Sequence, residues 1–104
     1  MVSLLLIFSL FCYEDLESVN CKNVKNIIRI ESQADGSYRL VVSGQTAIFK
    51  KPEPKDVFDS VLKQVFDTYE FKSKKLHVTV KRPETKGPKK KPFAVFKGQE
   101  YLCD

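Results

Sequence analysis

A chain of 104 residues holds one domain at most, and its mix of 42% hydrophobic and 30% charged residues excludes global disorder. The net charge of +5 is unevenly spread: residues 1–20 carry three acids and no base, whereas residues 72–97 carry ten bases and one acid, Glu84. Such asymmetry points to a local surface for a polyanion more than to a uniformly basic protein.

Residues 4–12 form a nine-residue apolar run followed by a polar segment. That is the size of a signal-peptide hydrophobic region and far below the roughly 20 residues a membrane span needs. Val19 and Cys21 stand where a signal peptidase reads small residues; cleavage after Cys12 is the other option. No Lys or Arg precedes the run, as a signal peptide would have it. We therefore expect residues 1–21 to be a signal peptide or an N-terminal element, and residues 22–104 a single α+β domain. The corresponding location is secreted, with cytoplasmic or nuclear as the alternative. Cys12, Cys21 and Cys103 match no zinc-ligand spacing, and there is no Cys-x-x-Cys. Pairing of Cys21 with Cys103 is the expected disulfide, tying the two ends of the domain together.

Residues 24–31 are β-branched and partly alternating, which predicts a strand. Asp35-Gly36 follows as a hairpin signal. Tyr38, Leu40 and Val42 then alternate with Arg39, Val41 and Ser43. The run after Gly44 is either a third strand or the second continued through a bulge. Pro52 and Pro54 interrupt the sheet pattern, and Pro54 suits the first turn of a helix. Val57, Phe58, Val61, Leu62, Val65, Phe66 and Tyr69 recur at intervals of three and four, predicting an amphipathic helix of about four turns. Leu76, Val78 and Val80 alternate with His77, Thr79 and Lys81 as a further strand. Residues 92–102 read as one last strand, with Phe93 and Val95 on one side and Ala94 and Phe96 on the other. The expected fold is α+β in the order β-β-(β)-α-β-β, with one helix on one face of a mainly antiparallel sheet. That order is loosely similar to β-grasp, ubiquitin-like domains, an analogy of element order with no shared motif.

No catalytic constellation stands out. The single histidine, His77, lies on the polar face of its strand with no nucleophile or carboxylate beside it in sequence. Asp56, Asp59 and Asp67 fall on the outer face of the expected helix, and the four glycines form no phosphate-cradling loop. No enzyme activity, metal or cofactor is expected.

Two features suggest binding. The face opposite the helix would collect Ile27, Arg29, Arg39, Val41, His77, Thr79, Lys81, Ala94 and Phe96, so that cations interleave with apolar groups. The basic segment contributes Lys81, Arg82, Lys86, Lys89, Lys90 and Lys91, with the last four on a proline-stiffened loop expected to stand off the sheet. Such a loop serves nuclear import, binds sulfated sugars or anionic headgroups, or merely keeps strands from pairing with other chains. The favoured expectation is a small non-enzymatic binding module, secreted, for an acidic protein, a glycosaminoglycan or an anionic membrane surface. The alternatives are an intracellular nucleic-acid-binding or assembly protein, and a small secreted inhibitor-like scaffold.

Overall fold

The structure, a computed structural model, describes residues 16–104. The apolar run at 4–12, Cys12 and the expectation of a signal peptide there lie outside the described residues.

The described chain is all β. Nine strands follow one another: β1 Val19–Lys22, β2 Ile27–Ser32, β3 Tyr38–Val42, β4 Gln45–Phe49, β5 Lys55–Asp59, β6 Gln64–Lys72, β7 His77–Pro83, β8 Phe93–Phe96 and β9 Gln99–Cys103. They form a single antiparallel sheet in the order β4-β3-β2-β1-β9-β8-β7-β6-β5. Every consecutive pair is a hairpin except β4 and β5, which are the two edges. The first and last strands pair instead, with Cys21 opposite Cys103. The described residues thus form an up-and-down meander whose first and last strands are joined and which is open between β4 and β5. Val19–Lys22 is part of the sheet, and Leu16 before it is buried in the core.

The alternation of the strands gives the sheet a fully apolar inner face. Cys21, Ile28, Ile30, Leu40, Val42, Val78, Val80 and Ala94 lie on it without solvent exposure. Among the described residues nothing helical covers this face; the sheet covers itself. Tyr38 on β3 packs edge-on against Phe71 on β6 with ring centroids 5.5 Å apart, although five strands separate β3 from β6 in the sheet. Phe49 on β4 meets the same Phe71 ring at 5.7 Å. Strand twist accumulates along a sheet, and here it curls the two halves until their inner faces meet in a half-barrel. Each such aromatic pair adds about 0.5–1.5 kcal/mol beyond its buried area. The Tyr38 hydroxyl donates to the Leu16 carbonyl at 2.6 Å, so its polar tip is satisfied inside the core.

The expected α+β class, its helix and the β-grasp analogy are therefore overturned. Residues 55–72 form the β5–β6 hairpin, with Asp59 opposite Gln64. The Asp59 carboxylate accepts the amides of Val61 and Leu62, both at 2.9 Å, and Lys63 takes φ 53°. A side chain that captures the two following amides turns the chain where a helix would have continued. The helical spacing arose because β6 buries residues on both faces. Phe66 and Thr68 pack outward while Tyr69 and Phe71 pack inward, and all four are buried.

Two tight turns set the remaining strand boundaries, the first among the options the sequence offers and the second not expected from it. Ser43-Gly44 and Lys97-Gly98 each place two consecutive residues at positive φ, the conformation of a two-residue hairpin loop. The first makes the run after Gly44 a separate strand, β4. The second divides the expected last strand into β8 and β9.

Candidate functional site

The outward, convex face carries the residues singled out for binding, in an arrangement the register defines. Lys22 pairs with Ile27 on one side and Leu102 on the other. Leu102 pairs with Phe93, Phe93 with Lys81, Lys81 with Thr68 and Thr68 with Lys55. These positions make one row running straight across the strands. At about 4.8 Å per strand, Lys22 and Lys81 stand roughly 14 Å apart, and Lys81 and Lys55 roughly 10 Å. Arg29, exposed and paired with Asn20 and Val41, lies one step along the strand from the row.

A second, smaller core underlies the middle of this row. Phe66 and Phe93 point outward, pack edge-to-face at 5.5 Å and are almost completely buried. The segment after β7 covers them. Its anchor is Gln64, 1% exposed. The Gln64 amide nitrogen donates to the carbonyls of Thr85 and Lys89, each at 2.8 Å, and its oxygen accepts the Lys89 amide at 3.1 Å. Glu84 N–H donates to the Val65 carbonyl at 2.9 Å, and Val65 N–H donates to the Thr85 hydroxyl at 3.0 Å. Gly87 lies so close to Gln64 that a Cβ there would stand 2.6 Å from its Cδ. The expectation of a loop standing off the sheet is corrected: residues 84–89 are fastened to β6, because Gln64 supplies the hydrogen bonds of an absent strand.

This clamp sorts the basic residues into two groups. Lys89 sits with its ammonium 4.9 Å from the Phe93 ring centroid and 2.7 Å from Glu100, and Lys81 lies 6.0 Å from the same ring. Two cations are thereby held near one aromatic ring. Lys86, Lys90 and Lys91, on the same segment as Lys89, are exposed. Arg82 does not join them. It faces inward, donates to the Tyr69 hydroxyl at 2.6 Å, lies over the Tyr69 ring and approaches Asp67 at 3.5 Å.

The other predicted face residues divide similarly. His77 and Thr79 are on the convex face, with His77 3.9 Å from Glu70. Arg39 is there too but is paired with Glu31 at 2.7 Å. Phe96 and Ala94 lie on the inner face, buried, and Phe93 and Val95 take the outward positions. The strand's phase was assigned one residue out because β8, like β6, is apolar on both sides. Cys21 and Cys103 are joined by a disulfide across β1 and β9.

One grouping was not foreseen. Asp56, Asp67 and Glu84 bring carboxylate oxygens within 4.8 Å of one another at the β5 side of the inner face. Hydrogen bonding to Asp56 and then to Asp67 pushes the Glu84 carboxyl up to about 7, so Glu84 holds its proton to near neutrality. Only the folded register of β5, β6 and the segment after β7 brings these three together; their sequence spacing carries no signal. Among the described residues this is the set whose donor atoms converge closely enough for a metal ion. The retained proton and the adjacent Arg82 guanidinium already balance part of its charge.

Compared with protein-family models, with curated proteins and with solved structures, the chain matches none.

Proposed function

We propose that the chain is a non-enzymatic binding module whose convex face takes a linear polyanion, of the sulfated-polysaccharide class, along the row from Lys22 to Lys81. The observation that carries this reading is the row itself: Lys22, Lys81 and Lys55 sit in register across six strands, with Arg29 beside it and the exposed Lys86, Lys90 and Lys91 on the segment between β7 and β8. A sheet holds these cations at fixed intervals, so little ordering is needed on binding. The exposed Ile27 and Leu102 supply apolar contact for sugar rings or methylene groups between the charges. The Cys21–Cys103 disulfide supports an oxidising, extracellular setting, where such polymers occur.

Retention on immobilised heparin as a function of salt tests the reading. Replacing Lys22 and Lys81 by Gln should lower the eluting salt, and further replacement of Lys86, Lys90 and Lys91 should lower it again. Each lost cation reduces the salt slope by roughly one unit at most. Unchanged elution of the Lys22→Gln/Lys81→Gln protein would show that the row is not the site. Equal binding of single-stranded RNA at the same salt would favour a nucleic-acid function instead.

A further inference from the structure

We infer that this chain associates with a second copy of itself through the open edge of β5, two β5 strands pairing antiparallel about Val57. Among the described residues the sheet ends at β5, which hydrogen-bonds to β6 on one side only. Which of its backbone groups face outward follows from the neighbouring strand. Val65 turns its N–H to Thr85 and its carbonyl to Glu84, away from β5. Alternate residues of an antiparallel strand turn opposite ways, so Phe66 addresses β5, and its partner there is Val57. Lys55, Val57 and Asp59 therefore spend their backbone groups on β6, and Asp56 and Phe58 present theirs to the open side.

A twofold axis through Val57 uses that pattern. It sets Asp56 opposite Phe58 of the second copy, and Phe58 opposite its Asp56, so outward donors and acceptors on both strands meet. The same register sets Lys55 against Asp59 at both ends, on the convex face, with the two Val57 side chains between them. Opposite charges directly across an antiparallel pair are favourable, and "KDVFD" is complementary to itself only in this antiparallel sense. The Asp59 oxygen that caps the turn is Oδ1, which leaves Oδ2 for the lysine. Val57 and Phe58 are 42% and 60% exposed, an unusual apolar content for an unprotected edge. The β4 edge, "QTAIF", has no charge to pair in any register. The interface is isologous and closes at two copies, uniting two sheets edge to edge.

Sedimentation equilibrium from about 10 μM to about 1 mM covers the range expected for so small an interface. The wild-type chain should pass from monomer to dimer within it. Lys55→Glu, which opposes like charges at both ends, should weaken association by about tenfold or more. Added salt should weaken the wild-type dimer and strengthen that of Lys55→Glu. Phe58→Pro removes an outward N–H without touching the bonds to β6 and should abolish the dimer; its thermal unfolding at low concentration checks that the fold survives. A wild-type chain that stays monomeric, a dimer indifferent to Lys55→Glu, or open-ended growth beyond two copies would each overturn the inference.

Discussion

The Glu84 carboxyl keeps its proton because Asp56 and Asp67 accept a hydrogen bond that the ionised form could not donate. In the unfolded chain the same group titrates near its ordinary 4.5, whereas in the folded protein it titrates near 7. Between these values the native state binds the extra proton, so stability is greatest below the lower value and is lost as pH rises through the upper one. Denaturant midpoints measured from pH 4.5 to pH 7.5 should therefore show a downward contribution that Glu84→Gln removes. An identical pH profile in the variant would refute the proton retained on Glu84. Asp35 shifts the other way: hydrogen bonds from the Ser37 hydroxyl and amide hold its carboxyl below the usual range in the β2–β3 turn.

At the scale of elements, the strands read most easily are those with one polar face. β2, β3 and β7 alternate cleanly, and their inward residues Ile28, Ile30, Leu40, Val42, Val78 and Val80 were legible from period two alone. β6 and β8 were misread for one reason: each is apolar on both faces. Two-sided burial erases the alternation, and the residual spacing of β5, its turn and β6 imitates a helix. A usable signal was present in the β-branched and aromatic content of residues 57–71 and in Asp59-Ser60 as a turn opener. The cause of the two-sided burial is the segment after β7, clamped by Gln64. Gln64→Ala should cost about 1–3 kcal/mol, because it removes three part-buried hydrogen bonds made by the buried Gln64 amide to Thr85 and Lys89. It should also speed amide exchange at Lys89 while leaving that of Ile28 and Ile30 unchanged. Protection at Lys89 equal to wild type would mean that the clamp is not what holds the segment.

Across the whole molecule, the disulfide joins strands that are first and last in the described chain yet neighbours in the sheet. It closes a loop with a sequence separation of 82 residues. By the chain-entropy argument such a link raises stability by about 4.5 kcal/mol, an upper figure because the unfolded chain retains some structure. Cys21→Ser/Cys103→Ser should lower the denaturant midpoint accordingly, and the β1–β9 pairing should lose exchange protection before β6–β7 does. Equal stability of oxidised and reduced protein would show that β1–β9 pairing holds without the bond. The same closure places the two edges at β4 and β5, in mid-sequence. A sheet with joined termini is therefore open at an internal site, where the proposed self-pairing would occur.

Local chemistry decided what the chain alone could reveal: strands where one face is polar, a hairpin at Asp35-Gly36, a basic segment after residue 80, and two cysteines able to tie the ends. Those properties depend on neighbours in sequence, and period-two patterning reports them directly. Only the tertiary structure decided that residues 55–72 are a hairpin, that Phe93 rather than Phe96 faces outward, that Arg82 leaves the basic group for Tyr69 and Asp67, and that three distant carboxyls converge. Each of these depends on which strands lie beside which, and on a curl that accumulates over nine strands. Long-range register is a property of the folded sheet and leaves no periodic trace in the sequence.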